Sequence, residues 1–131
     1  MAKGKILIMD DEDLVRSVVG KMLEFLGYQA ILTASGEDAI SLYQSHRGEG
    51  QPFDAVILDW MVPGGLDGFK TMERLRAIDP DAKGILSSGY PEQDKDARAA
   101  AGFLDVIGKP YEIKTLRETL ERVMGAAPAS A

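Results

Sequence analysis

The sequence predicts an α/β fold, a doubly wound five-stranded parallel sheet in the order 2-1-3-4-5. Three observations predict it. Short, continuous apolar runs at residues 6–9, 55–58, 84–86 and 106–108 read as strands buried on both faces. Helical patterns alternate with these runs, as right-handed crossovers between parallel strands require. Each run also ends on side chains with reactive oxygens or an ammonium: Asp10 and Asp11, Asp59, Ser87 and Ser88, and Lys109 before Pro110. In open α/β sheets the site lies outside the carboxyl ends of the strands, so these residues converge on one edge.

The elements follow in order. Leu14, Val15, Val18, Val19, Met22, Leu23 and Leu26 fall at helical spacing and predict a first helix with that face inward. Gly27 suits the left-handed cap that ends such a helix. A second strand is expected at 29–33. Ser35 with Asp38 resembles a capping box that opens a second helix through Tyr43. Residues 46–52 read as a polar loop, with His46 exposed and not a phosphodonor. A third helix is expected from Leu66 to Ile78, closed by Asp79 and Pro80. Residues 91–102 offer alanine in place of large apolar side chains, which predicts a fourth, loosely held helix. Ile113, Leu116, Leu120, Val123 and Met124 line one face of the last. These elements divide the chain into a domain at 1–124 and a flexible tail at 125–131.

Composition narrows the function. A chain of 131 residues with 45% hydrophobic side chains fits one globular domain. The absence of cysteine excludes disulfides, thiolate catalysis and thiolate metal sites. A formal charge of −6 argues against direct nucleic-acid binding, which rests on lysine and arginine against phosphates. The basic start is followed by an apolar run that stops at Asp10, too short for a signal-peptide core or a membrane span. A cytoplasmic monomer or weak dimer is expected, with no membrane contact. Gly64, Gly65 and Gly68 lack the lysine of a phosphate-binding loop.

Three carboxylates at one sheet edge repel each other, by about 4 kcal/mol for a pair ~4 Å apart at an effective dielectric near 20. A proton or a cation must relieve this. An all-oxygen set with room for water suits Mg²⁺, with Mn²⁺ as a substitute. Asp59 is the natural nucleophile for an acyl phosphate. Lys109 would neutralise phosphoryl oxygens, and its strong anionic partner is expected to arrive with the phosphate. Strand alternation turns only one of Ser87 and Ser88 toward the site. Pro110 shapes the loop after Lys109, through a cis bond if one forms. Glu12 and Asp13 read as residues of a helix start. Trp60, next after Asp59, should point to the opposite face and pack there.

The motifs ILIMDDE, AVILDWMVPGG, ILSSGY and GKPY, in this order and spacing, resemble those of receiver domains in bacterial two-component response regulators, over residues 4–124. The resemblance implies the flavodoxin-like receiver fold. It makes Asp59 the phosphoacceptor, Asp11 a direct Mg²⁺ ligand, Asp10 a ligand through water and Met61 a ligand through its backbone carbonyl. It selects Ser88, followed by Gly89, as the switch hydroxyl and Lys109 as the family's lysine. The implied partners are a histidine kinase or phosphotransfer protein and a downstream protein target. Such a receiver is no enzyme beyond Mg²⁺-dependent self-phosphorylation and autodephosphorylation. It stands alone or forms part of a hybrid sensor kinase, which the VPGG and SSGY segments resemble. The family usually carries an aromatic residue three positions before the lysine, where this chain has Val106. The alternative is a small Mg²⁺-dependent phosphatase of the haloacid dehalogenase type, whose opening motif Asp11-Glu12-Asp13 imitates; it would need a late acidic pair, and only Asp105 is present.

Overall fold

Isoleucine alternates with leucine, valine or methionine along the strands, and this alternation separates two core layers. Ile6, Ile8, Ile57, Ile85 and Ile107 face one side, against Val19, Leu23, Leu116, Leu120 and Val123. Leu7, Met9, Val56, Leu58 and Leu86 face the other, against Ala39, Tyr43, Met72 and Leu75.

The computed structural model describes residues 3–60, 62–91, 99 and 101–125. Its elements run β1 (Lys5–Met9), α1 (Asp13–Phe25), β2 (Gln29–Thr33), α2 (Gly36–Gly48), β3 (Ala55–Asp59), α3 (Gly68–Ile78), β4 (Gly84–Ser88), β5 (Asp105–Gly108) and α4 (Ile113–Met124). All pairings are parallel, and the sheet order is β2-β1-β3-β4-β5. Both the fold class and the strand order agree with the sequence expectation. The first core layer lies under α1 and α4, the second under α2 and α3. Helices therefore leave β1 and β3 toward opposite faces, which opens the crevice between those strands' carboxyl ends. Among the described residues no helix is long and apolar enough to cross a membrane.

Several local expectations hold. Gly27 takes a φ of +96°, a left-handed value that glycine adopts without a steric penalty. Ser35 Oγ accepts the Asp38 N–H at 3.1 Å and so caps α2. Trp60 packs against the second layer, edge-on to Phe69 at 4.3 Å between ring centroids. The Lys109–Pro110 bond is cis.

Others are corrected. Leu14 is 77% and Val18 42% exposed, whereas Val19, Gly20 and Leu23 form the buried face of α1. The seven apolar positions span about half of the helix circumference, and these two lie at its margin. Helix α2 continues through His46 to Gly48, so His46 is neither in a loop nor fully exposed. Lys5 Nζ, drawn toward acceptors at the sheet's amino edge, lies 2.6 Å from His46 Nδ1 and 2.5 Å from the Gln51 carbonyl oxygen. Helix α3 starts at Gly68, because the Asp67 carboxylate accepts the Lys70 N–H at 2.8 Å and ends the preceding loop. The fourth helix expected at 91–102 falls largely on residues 92–98 and 100, and the tail on 126–131, all outside the described residues.

Candidate functional site

Asp59 closes β3, Asp10 directly follows β1, and Lys109 directly follows β5. Parallel pairing carries all three to the same edge. Lys109 Nζ lies 2.9 Å from Asp59 Oδ1 and 3.0 Å from Asp10 Oδ2. The carboxylates are deeply buried, with Asp10 1% and Asp59 6% exposed, so the ammonium is their principal counter-charge. Strand β4 sets the level of both neighbours: Trp60 N–H donates to the Ser87 carbonyl at 3.2 Å, and Lys109 N–H donates to that of Ser88 at 2.9 Å. At Gly68 any Cβ would collide with the Asp59 carbonyl oxygen, so glycine lets α3 start directly against the end of β3. The ion pair corrects one expectation, since Lys109 has strong anionic partners before any phosphate arrives.

The remaining acids surround Asp10. Its Oδ1 accepts the Glu12 N–H at 2.9 Å, and its carbonyl accepts from Arg16 Nη1 at 2.7 Å. Carboxylate oxygens of Asp10, Asp11 and Glu12 lie within 4.8 Å of one another, with Asp11 and Glu12 exposed. Glu12 occupies the N-cap position of α1 but makes no side-chain cap bond, which leaves its carboxylate beside the aspartates. The sequence reading took it for a plain helix start. Its adjacency to the Asp10-Asp11 pair was the available signal. Asp13 does act at the helix start, paired with Arg16.

Burial raises the pKa of Asp59, Asp10 and Asp11 raise it further, and the Lys109 hydrogen bond opposes them. Burial works to lower the pKa of Lys109, but the hydrogen bond to Asp59 and the charges of Asp59 and Asp10 outweigh it and hold the ammonium charged. One negative excess stays uncompensated. Asp10 Oδ2 is buried and accepts no hydrogen bond, having only the ammonium at ion-pair distance. A buried carboxylate oxygen of this kind, beside two exposed carboxylates, fits a hard divalent cation held by oxygens with water completing the shell. Met61, expected to contribute its carbonyl, lies outside the described residues.

The two serines part company. Ser87 pairs in register with Asp59 and shares the Ile85 face, where its Oγ accepts from the Tyr111 hydroxyl at 2.5 Å. Ser88, the last residue of β4, is 3% exposed and its Oγ accepts the Tyr90 N–H at 2.9 Å. Val106 packs with the second core layer. Tyr111 is buried, which pushes its hydroxyl up to about 12. Nothing local in the sequence marks the bond of Tyr111, because its partner lies 24 residues away.

Comparison with known proteins decides the family. The sequence profile of the response regulator receiver domain matches residues 6–121. The chain belongs to the response regulator receiver domain family. It is 29% identical over 125 residues to sporulation initiation phosphotransferase F of Bacillus subtilis, covering 95% of this chain and 96% of that protein. It is 33% identical over 123 residues to the sensor kinase CckA of Brucella abortus, covering 91% of this chain and spanning 12% of the kinase's length. Among solved structures, the receiver domain of a Pseudomonas aeruginosa sensor histidine kinase superposes with a TM-score of 0.82 at 27% identity. That match covers 95% of this chain and 100% of the other, which holds magnesium in its active-site cleft. The protein is thus a receiver of two-component signalling, a class that works with histidine kinases and phosphotransfer proteins. The phosphatase alternative finds no support. Asp105, its late acid, starts β5 level with Ile57, with β4 lying between it and β3, and is held by Arg122 at 2.7 Å.

Proposed function

We propose that this receiver accepts a phosphoryl group on Asp59 from a phosphohistidine of a kinase or phosphotransfer protein, in a Mg²⁺-dependent reaction. The observation that carries it is Asp59 at the end of β3, bonded to Lys109 and flanked by Asp10 and Asp11. An Asp59 carboxylate oxygen attacks the phosphorus. The bond from phosphorus to the donor nitrogen breaks, and its electron pair stays on that nitrogen; the donor ring, protonated at its other nitrogen, leaves as a neutral imidazole. Asp11 and Asp59, with the Met61 carbonyl and with Asp10 through water, would hold Mg²⁺; Mn²⁺ would fit the same oxygens. The cation supplies charge neutralisation for the phosphoryl oxygens. Lys109 supplies a second positive charge, turning from the paired aspartates toward the added phosphoryl group. The Ser88 hydroxyl, at the end of β4, would donate to a phosphoryl oxygen and release the Tyr90 N–H it now holds. That exchange moves the loop after β4 and would change a surface read by another protein.

The receiver acts alone or as part of a hybrid sensor kinase; in the second case the parent would be the kinase. A small acyl-phosphate donor with Mg²⁺ tests the reading. Wild type should take up one phosphoryl group, labile to alkali, and Asp59→Asn should take up none. Equal labelling of that variant refutes the assignment. Mg²⁺ alone should change Trp60 fluorescence, since Trp60 adjoins the acceptor.

A further inference from the structure

Beneath Lys109 two hydroxyls meet that phosphoryl transfer does not itself require. Tyr111 O–H donates to Ser87 Oγ at 2.5 Å, and both residues are buried, at 9% and 1% exposure. Ser87 belongs to β4 and pairs in register with Asp59. Tyr111 stands two residues beyond Lys109, its ring packed with Ile107 and Leu116. The bond therefore ties the end of the acceptor strand's neighbour to the loop that carries the lysine. The site's charges reach the phenol as well: Lys109 works to lower its pKa, Asp10 and Asp59 to raise it, in addition to burial.

A lysine ammonium rides on a flexible stem with several rotatable bonds. Its tip stays between two carboxylates only if the base of the stem is held. The backbone bond from Lys109 N–H to the Ser88 carbonyl fixes one side of that base. We propose that Tyr111 is a positioning residue, whose hydrogen bond to Ser87 fixes the other side and holds the Lys109 ammonium between Asp10 and Asp59. Tyr111 does not fill the space of a ring at position 106, because Val106 packs in the opposite core layer. The tyrosine works on the Asp59 face directly. Its effect on phosphoryl transfer rests on the reading of Asp59 as acceptor.

Two readouts test this in the full chain. Tyr111→Phe removes one hydroxyl, and Ser87→Ala removes the same bond from the other side, so a variant that fails to fold leaves the other to decide. Initial rates of Asp59 labelling by a small acyl phosphate with Mg²⁺ should fall roughly five-fold in each, as the loss of one buried hydrogen bond implies. The double variant should be no slower than the slower single, because one bond is removed in each case. Nitrogen NMR of the Lys109 ammonium, recorded without donor, should show a sharp signal in wild type and a broadened one in both variants. A merely structural bond would lower thermal stability and leave that signal alone. An unchanged ammonium signal overturns the proposal, as does a wild-type labelling rate in both single variants. If wild type takes up no phosphate, the reading of Asp59 fails, and the ammonium signal still decides whether Tyr111 positions Lys109.

Discussion

Replacing Lys109 with methionine keeps most of the stem and removes the charge that two buried carboxylates share. At the observed 2.9 Å and 3.0 Å, an effective dielectric near 20 gives each contact a Coulomb energy of about 6 kcal/mol. Desolvation of the ammonium offsets much of that, and the side chain is still 21% exposed. Removing one member of a buried pair costs about 3–5 kcal/mol, and partial exposure places this case near the lower end, at about 3 kcal/mol. For a domain of this size that lowers Tm by roughly 10 °C. The loss should also depend on pH. Burial and Asp10 raise the Asp59 pKa while Lys109 holds it down, so the variant's Asp59 is raised further. A carboxyl whose folded pKa exceeds its unfolded value binds its proton more tightly when folded. The variant therefore regains stability as pH falls from neutrality through that raised value. Urea denaturation of both proteins in Mg²⁺-free buffer, at about pH 7 and about pH 5, reads both effects. A deficit below about 0.5 kcal/mol at neutral pH, or one of equal size at both, refutes the reasoning.

Three further outcomes are expected. Asp59→Asn should raise the urea midpoint near neutral pH, because the ionised side chain is disfavoured by burial and by Asp10; the gain should shrink as pH falls and wild-type Asp59 takes up its proton. A midpoint lowered at neutral pH would show that the Lys109 bond dominates. Gly68→Ala should cost about 1–3 kcal/mol and slow Asp59 labelling, since the new Cβ meets the Asp59 carbonyl oxygen and must push α3 from the end of β3. Unaltered labelling and stability would remove that contact from the account. Tyr43→Phe deletes the 2.7 Å bond to Asp79 Oδ2 on the second core layer and should cost about 1 kcal/mol in denaturation while leaving the labelling rate as in wild type.

The strands and most of the site were legible in the chain because a parallel sheet covered on both faces needs continuous apolar runs. The residues that end those runs are then delivered to one edge. That logic located Asp10, Asp59 and Lys109 at the carboxyl edge of the sheet, where the structure joins them through one ammonium. Caps were legible for the same local reason, as Ser35 and Gly27 illustrate. Helix faces were less so. The period of α1 identified an apolar arc, but only packing against the sheet left Leu14 and Val18 outside it.

Periodicity, termini and residue chemistry are properties of neighbours in the chain, and they determined the α/β class, the strand order and the acidic edge. Partners distant in the chain belong to the tertiary structure. Folding decided that Lys109 pairs with two aspartates at once, and that Tyr111 reaches Ser87 across 24 positions. It also decided that Lys5 and His46 meet across 41 positions at the opposite edge of the sheet. Such bonds depend on register and on side-chain reach in three dimensions, which leave no periodic trace in the sequence.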